Sequence, residues 1–322
     1  MRILVTGAAG FVGSHVAEHL LCAGHDVVGI DNFNSYYDPA SKRANIEPAR
    51  NAGLQLFEID LATDNLTEAV RDIDAVFHLA AQPGINRTTS FEDYERNNVV
   101  ATHRLVDACE KQHVQRALTL FANIATSSIY GADATGPETI VPAPTSHYGV
   151  TKLAAEQLVL AAHRERGLPA CSLRLFSVYG PRERPEKLFP ALIRSIASGT
   201  SFPLFDGALQ HTRTFTYVGD AVKGLISALD HADKAIGEIF NIGSDNETST
   251  ERGIRIIEEI TGRKAIFEHL PKRPGDQLRT HADITKARNI LGYKPSTTPE
   301  DGLRETVKFF APQLVSCDAA AS

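Results

Sequence analysis

A chain of 322 residues can form two modest domains or one large one with an attached lobe. Its composition, 43% hydrophobic and 22% charged, is that of an ordinary soluble protein, and no apolar run approaches the roughly 20 residues that cross a bilayer. A formal net charge of -6 without a basic block argues against nucleic acid as the main partner. The opening "MRILVTGAAG" has no signal-peptide layout. Cys22, Cys109, Cys171 and Cys317 form no C-x-x-C pair, which suits reduced thiols in a cytoplasmic protein.

In chain order, "RILVTG" reads as a strand, "GSHVAEHLLCAG" as a helix closed by Gly24, and "DVVGID" as a second strand. "LQLFEID" and "DAVFHLAA" follow as strands. Next come a helix around "NNVVATHRLVDACEK", a strand leading into "ATSSIYG", a helix over "SHYGVTKLAAEQ" and a strand over "ACSLRLFSVYG". Strands alternating with helices predict an α/β fold with a parallel sheet covered on both faces. Beyond residue 175, proline and glycine punctuate "GPRERPEKLFP" and "LPKRPGD". The expected organisation is a nucleotide-binding domain over 1–175 to which later segments return, a smaller lobe mainly over 176–312, and a frayed tail over 313–322.

"VTGAAGFVGSH" sets Gly7, Gly10 and Gly13 between the first strand and the first helix. Small residues there let backbone N–H groups approach a pyrophosphate, and a helix N-terminus favours its negative charge. Asp31 ends the second strand. An acid at that position accepts hydrogen bonds from an adenosine ribose and repels a 2'-phosphate, so NAD is expected over NADP. Lys42 and Arg43 would soften that preference if they reached the ribose.

Tyr148 and Lys152 lie four residues apart, on one face of a helix. To act as a base near neutrality, a tyrosine must fall from its ordinary pKa of about 10, at a cost of about 4 kcal/mol. A lysine ammonium and an oxidised nicotinamide both favour the phenolate. "ATSSIYG" supplies Thr126, Ser127 and Ser128 at a strand end, where a serine can hold the hydroxyl whose proton Tyr148 removes. The chemistry implied is alcohol oxidation with NAD+ as acceptor.

Taken together, "TGAAGFVG", "DNFN", "HLAAQPG", "NNVVAT", "TSSIYG", "YGVTK" and "RLFSVYGPRERP" resemble the extended short-chain dehydrogenase/reductases that act on nucleotide sugars, from about residue 1 to 310. The resemblance implies a Rossmann doubly wound parallel sheet with a smaller C-terminal α/β substrate lobe, and a homodimer paired through a four-helix bundle. It implies Ser127, Tyr148 and Lys152 as the catalytic set, with Thr126 beside them. It implies a cofactor site that adds Phe11, Val12, Asn32, Asn34, Lys42, Asp60, Leu61, Leu79, Ala80, Ala81, Gln82, Asn98 and Phe176 to the glycines and Asp31. For a UDP-sugar it implies Pro83, Gly84, Arg87, Ser128, Ser177, Arg182, Arg184, Leu188, Phe205, Arg213 and Asp276.

Family members diverge at the catalytic strand end. Dehydratases carry an Asp-Glu pair after Thr, and decarboxylases carry Thr-Ser-Glu. Thr126-Ser127-Ser128 has no carboxylate, which leaves C4 epimerisation with NAD unchanged overall. "RLFSVYGPRERPEKLF" resembles UDP-glucuronate 4-epimerases, with Arg182 and Arg184 after Gly-Pro and Ser177 where that group has Thr. A guanidinium fork matches a C6 carboxylate; the alternatives for these arginines are solvated loop charges or a grip on the diphosphate. The sequence departs from the family at Thr214, where Asp is usual, and at Gly219, where an acid is common. Arg87 sits one place late, and the run before the catalytic strand end is a few residues longer. The leading expectation is a UDP-glucuronate 4-epimerase. A UDP-glucose or UDP-N-acetylglucosamine 4-epimerase and a non-catalytic NAD-binding sensor are the alternatives. The 12 histidines show no metal pattern.

Overall fold

The computed structural model describes residues 1–85, 88–271 and 279–315. Arg87, Asp276 and Cys317 lie outside the described residues. Six strands, β1 (Arg2–Thr6), β2 (Asp26–Ile30), β3 (Gln55–Phe57), β4 (Ala75–His78), β5 (Leu120–Thr126) and β6 (Ala170–Leu175), are joined by Ile239–Ile242 in a seven-stranded sheet. Its order is β3-β2-β1-β4-β5-β6 with Ile239–Ile242 at the far edge, and every pairing is parallel. The chain winds outward from β1 in both directions, so the crevice between β1 and β4 is the topological switch point where ligands bind.

Period-two alternation sends side chains to both faces. Ile3 and Val5 of β1 enter one apolar core, and Leu4 between them enters the other. Helices α1 (Phe11–Cys22), α2 (Pro39–Asn51), α3 (Phe91–Tyr94), α4 (Ala101–Gln115) and α5 (His147–Arg166) follow in chain order, the last capped by Ser146 and stopped by Gly167 at φ 75°. One feature departs from the expected helix over 97–111: residues Glu95–Val100 form a π-helical turn before α4. It turns Asn98 inward, where Oδ1 accepts from Gln82 N (2.7 Å) and Nδ2 donates to Thr151 Oγ1 (3.0 Å). The strand expected over 170–180 is broken. β6 ends at Leu175, and Val178–Tyr179 pairs instead with Thr216–Tyr217.

Helices α6 (Leu188–Ser198) and α7 (Val218–Asp230) come from the later part of the chain. A third apolar core gathers Phe189, Leu192 and Ile193 of α6 with Ile254, Ile257, Leu303 and Val307. Two departures from the family pattern are accommodated here. Thr214 is fully buried, donating to Thr280 O (3.1 Å) and accepting from Ala282 N (3.0 Å). At Gly219 even a Cβ would sit 2.9 Å from the Tyr217 ring, so an acid there would displace that ring.

Beneath α5, Arg174 of β6 meets Glu156 through two hydrogen bonds, Nε to Oε2 (3.0 Å) and Nη2 to Oε1 (2.6 Å). Both side chains are buried, and Ser172 Oγ also donates to Glu156. Removing one partner of such a pair strands the other charge. Glu156→Ala is therefore expected to cost about 3–5 kcal/mol, read as a lower denaturation midpoint in urea; an unchanged midpoint would mean that α5 is held by its apolar contacts alone.

Candidate active site

A cleft of about 1380 Å³ opens over the carboxyl edge of the sheet. The parallel register aligns Thr6 with Ile30 and with His78, so Gly7, Asp31 and Leu79 leave the sheet side by side. Gly7 has φ 66°, and a Cβ on Gly13 would lie 2.1 Å from Gly7 O; neither position tolerates a side chain. Gly10 caps α1 without a side-chain hydrogen bond, and no acid occupies the first turn. The N–H groups of Phe11, Val12 and Gly13 are thus left for an anion. Gly7, Gly10, Phe11, Val12 and Gly13 all line the cleft.

Asp31 lines it too, buried and accepting from Ala9 N (3.1 Å) and Phe33 N (2.8 Å). Burial pushes its carboxyl up, opposed chiefly by the nearby Lys42 charge. Lys42 donates to Asn34 Oδ1 (2.7 Å) and stands 4.9 Å from the Tyr37 ring centroid. Arg43 turns to Glu58 (2.8 Å) and does not line the cleft. Asn32, Asn34, Asp60, Leu61, Leu79, Ala80, Ala81, Pro83 and Gly84 complete this part of the wall, and Asn32 Nδ2 donates to Asp60 Oδ2 (2.9 Å). The glycine cradle, the open helix N-terminus and the acid at the end of β2 fit a dinucleotide.

Gln82, Asn98 and Phe176 do not line the cleft. Gln82 and Asn98 are bonded to each other just behind it, and Phe176 is wholly enclosed in the apolar core. His78 organises the same wall. Ala80 N donates to Thr6 Oγ1 (3.1 Å) and Thr102 Oγ1 donates to Asn98 O (2.6 Å). Thr6 must then donate to His78 Nδ1 (2.7 Å) and His78 Nε2 to Thr102 (2.9 Å), which fixes one neutral tautomer. Burial, aided by the Lys152 charge, holds His78 down to about 3.

Thr126, Ser127, Ser128, Tyr148 and Lys152 converge on the middle of the cleft. Thr126 Oγ1 accepts from Ser128 N (3.2 Å) and donates to Ser128 Oγ (3.3 Å), ordering the strand end, and it is a hydrogen-bonding neighbour of the Tyr148 phenol. Burial pushes the Tyr148 phenol up; the Thr126 bond and then the Arg184 charge pull it back. This differs from the expectation that Lys152 would supply that pull. Lys152 is itself pushed down to about 8 by burial, and Glu156 opposes the fall. Burial thus works against the charged form of each, though Lys152 at about 8 stays mostly protonated at neutral pH.

At the far end lie Ser177, Arg184, Leu188, Phe205 and Arg213. Arg184 packs over Gly84, where a Cβ would meet Nη2 at 2.8 Å, and its guanidinium stands 5.2 Å from the Tyr36 ring centroid. Its Nη1 is 3.0 Å from Glu186 Oε1 but is buried without a hydrogen-bond partner. Arg182 is a correction: it is absent from the lining and pairs with Glu18 of α1 at 2.7 Å. The structure adds residues that the sequence reading missed, among them Tyr36, Tyr37, Glu183, Glu186 and Lys187. Glu183 is pushed up and Lys187 down, each chiefly by burial. An acid and a base so near each other in the loop before α6 were the available signal. Among the described residues no group of three or more His, Cys, Asp or Glu is placed to hold a metal, and no helix is long and apolar enough to cross a membrane.

The fold and cleft define a Rossmann-type nucleotide-binding protein with a tyrosine–lysine pair at the switch point. A model described as the NAD dependent epimerase/dehydratase family matches residues 3–243, and the chain belongs to that family, within the extended short-chain dehydrogenase/reductases. Of its relatives, an uncharacterized UDP-glucose epimerase, YtcB, of Bacillus subtilis (strain 168) is 37% identical over 318 residues, covering 97% of this chain and 98% of that one. UDP-glucuronate 4-epimerase 4 of Arabidopsis thaliana is 35% identical over 332 residues, covering 96% and 75%. The UDP-glucuronic acid 4-epimerase of Bacillus cereus, solved in complex with UDP-glucuronic acid and NAD, superposes with a TM-score of 0.91 at 38% identity, covering 97% of this chain and 100% of that one.

A buried lysine depressed by burial is held at a cost to the fold. Lys152→Met, similar in volume and uncharged, is expected to raise the melting temperature by roughly 2–4 °C. A thermal scan that shows no rise, or a fall, would mean that the Lys152 charge is fully compensated by Glu156.

Proposed function

We propose that this chain is an NAD-dependent C4 epimerase of UDP-glucuronate, forming UDP-galacturonate through a 4-keto sugar. The observation that carries this reading is Arg184. Its buried guanidinium faces the cleft, and its charge bears on the Tyr148 phenol, while the strand end beside Tyr148 offers only hydroxyls. A cation set close to the base suits a sugar carboxylate better than a distant diphosphate. Arg213 and the backbone near Leu188 remain for the diphosphate, and Phe205 for the uracil face. The substrate roles of Arg87 and Asp276 are part of the same reading.

NAD+, when bound, supplies a reversible two-electron acceptor for C4. The glycine loop and α1 would hold its pyrophosphate, Asp31 its adenosine ribose, and Tyr148 and Lys152 its nicotinamide ribose. Ser127 holds the C4 hydroxyl and Tyr148 takes its proton, with Thr126 orienting the phenol. After the keto sugar turns over within the cleft, Tyr148 returns its proton to O4 as C4 is reduced on its opposite face. A 4-keto uronic acid is a β-keto acid prone to lose CO2, so Arg184 and Ser128 also keep the carboxylate from the geometry that permits loss. Residues 176–312 form the substrate lobe of this reading. Helices α4 and α5 pack together, and Val100 at the end of the preceding π-helical turn and Val150 of α5 are exposed, which supports a homodimer through a four-helix bundle, testable by light scattering. Free Cys109 and Cys171 suit a cytoplasmic protein. The neutral-sugar reading draws support from the relative named a UDP-glucose epimerase.

Incubation with UDP-glucuronate without added NAD, followed by NMR, is expected to yield UDP-galacturonate, and the denatured protein to release NAD rather than NADP. Absence of turnover on any UDP-sugar would leave the sensor. In the same assay, Tyr148→Phe is expected to lose about 10²–10⁴-fold in rate while still binding the sugar nucleotide.

Arg184→Ala distinguishes the two epimerase readings. An unpaired carboxylate costs roughly 2–5 kcal/mol, so kcat/KM for UDP-glucuronate should fall at least tens of fold and far more than for UDP-glucose. Equal losses would assign Arg184 to the diphosphate and favour the neutral sugar.

A further inference from the structure

The two arginines after Gly180 part company. Arg184 lines the cleft, whereas Arg182 meets Glu18 of α1 at 2.7 Å. One turn earlier on α1, His15 Nε2 donates to Pro181 O at 3.0 Å. One turn earlier again, Phe11 lines the dinucleotide end of the cleft and meets the His15 ring edge-on. Phe11, His15 and Glu18 are spaced i, i+4, i+7, a single helix face. That face runs from the cofactor loop to the segment carrying Arg184.

The clasped segment is strained. Ser177 has φ 26° and Arg182 φ 69°, in a region that side chains rarely adopt. Such backbone persists only where its surroundings over-determine it. Within the segment, Glu183 N donates to Gly180 O (3.2 Å) and Lys187 N to Arg184 O (3.1 Å), so the direction of Arg184 follows from the path between residues 180 and 184.

We propose that Arg182 is a positioning residue: the Glu18–Arg182 ion pair, with the His15–Pro181 bond beside it, clamps this strained segment onto α1 and holds Arg184 over Gly84, facing the sugar end of the cleft. Arg182 and Glu18 then contribute to recognition of a sugar carboxylate without touching it. This rests on the reading of Arg184 as the carboxylate's partner. An isolated surface pair contributes little, but this one has a strained backbone to hold, and the Arg182 side chain is only 13% exposed.

The test uses the whole protein in a Tyr148→Phe background, so that binding is measured without turnover. Glu18→Gln, Arg182→Gln, the charge exchange Glu18→Arg with Arg182→Glu, and Arg184→Ala are each titrated with UDP and with UDP-glucuronate. Both single variants are expected to weaken UDP-glucuronate about threefold or more, to leave UDP unchanged, and to be rescued by the exchange. The clamp is overturned if Arg184→Ala weakens UDP-glucuronate but Glu18→Gln does not. It is equally overturned if the single variants weaken both ligands alike, or if the exchange fails to restore binding. If Arg184→Ala itself leaves UDP-glucuronate unchanged, the carboxylate reading falls, and the clamp with it.

Discussion

The buried pairing of Glu156 with Arg174 is the contact on which the active centre rests. Glu156 lies one turn beyond Lys152 on α5, and Arg174, next to the carboxyl end of β6, is paired with Ala125 beside Thr126. The pair therefore fixes how α5 lies across the sheet, and with it where Tyr148 meets the hydroxyls of β5. The network does not stop there. Arg174 Nη1 donates to Tyr130 Oη (2.8 Å), which donates to Asn241 Oδ1 (2.7 Å) on the seventh strand. Residues from the turn after β5, from α5 and from the last-added strand are thereby satisfied by one another, as buried polar groups must be.

That network explains why the late return of the chain to the sheet matters. Ile239–Ile242 joins the edge of β6 and carries Asn241 to Tyr130. A nucleotide-binding half that ended at residue 175 would leave the Tyr130 hydroxyl without its acceptor, Asn241.

The sheet was legible because parallel strands buried on both faces read as short β-branched runs, and the glycine loop because three glycines there serve backbone geometry alone. Tyr148 and Lys152 were legible from spacing. Side-chain direction was not. Arg182 and Arg184 are two apart in a loop, and nothing in their type says which turns inward; a positive φ at Arg182, unexpected for a non-glycine residue, decides it. The break of the expected strand at Phe176 and Ser177 has the same origin. Phe176 fills the core and the chain turns at Ser177, so Val178–Tyr179 joins a second, two-stranded sheet. Gln82 and Asn98 were placed in the right region but one layer too far forward, because the π-helical turn that rotates Asn98 has no simple sequence signature.

The electrostatics of the cleft bear on why a hydroxyl-only strand end suits epimerisation. Tyr148 is raised and Lys152 lowered, to about 8, by the same cause, removal from water, so the cleft by itself favours a neutral phenol while Lys152 stays mostly protonated at neutral pH. Two influences shift the balance toward the phenolate: the Thr126 hydrogen bond and the Arg184 charge. A carboxylate at Ser127 or Ser128 would oppose both, since a like charge beside a phenol disfavours its ionisation. It would also stand ready to move a second proton, the requirement of elimination. Thr126 instead accepts from the Ser128 amide and donates to Ser128 Oγ, which orders the strand end beside Tyr148 without adding charge. A sugar carboxylate reaching Arg184 would share that guanidinium with Glu186, and giving one proton back to O4 as C4 is reduced on its opposite face is the step that suits these groups.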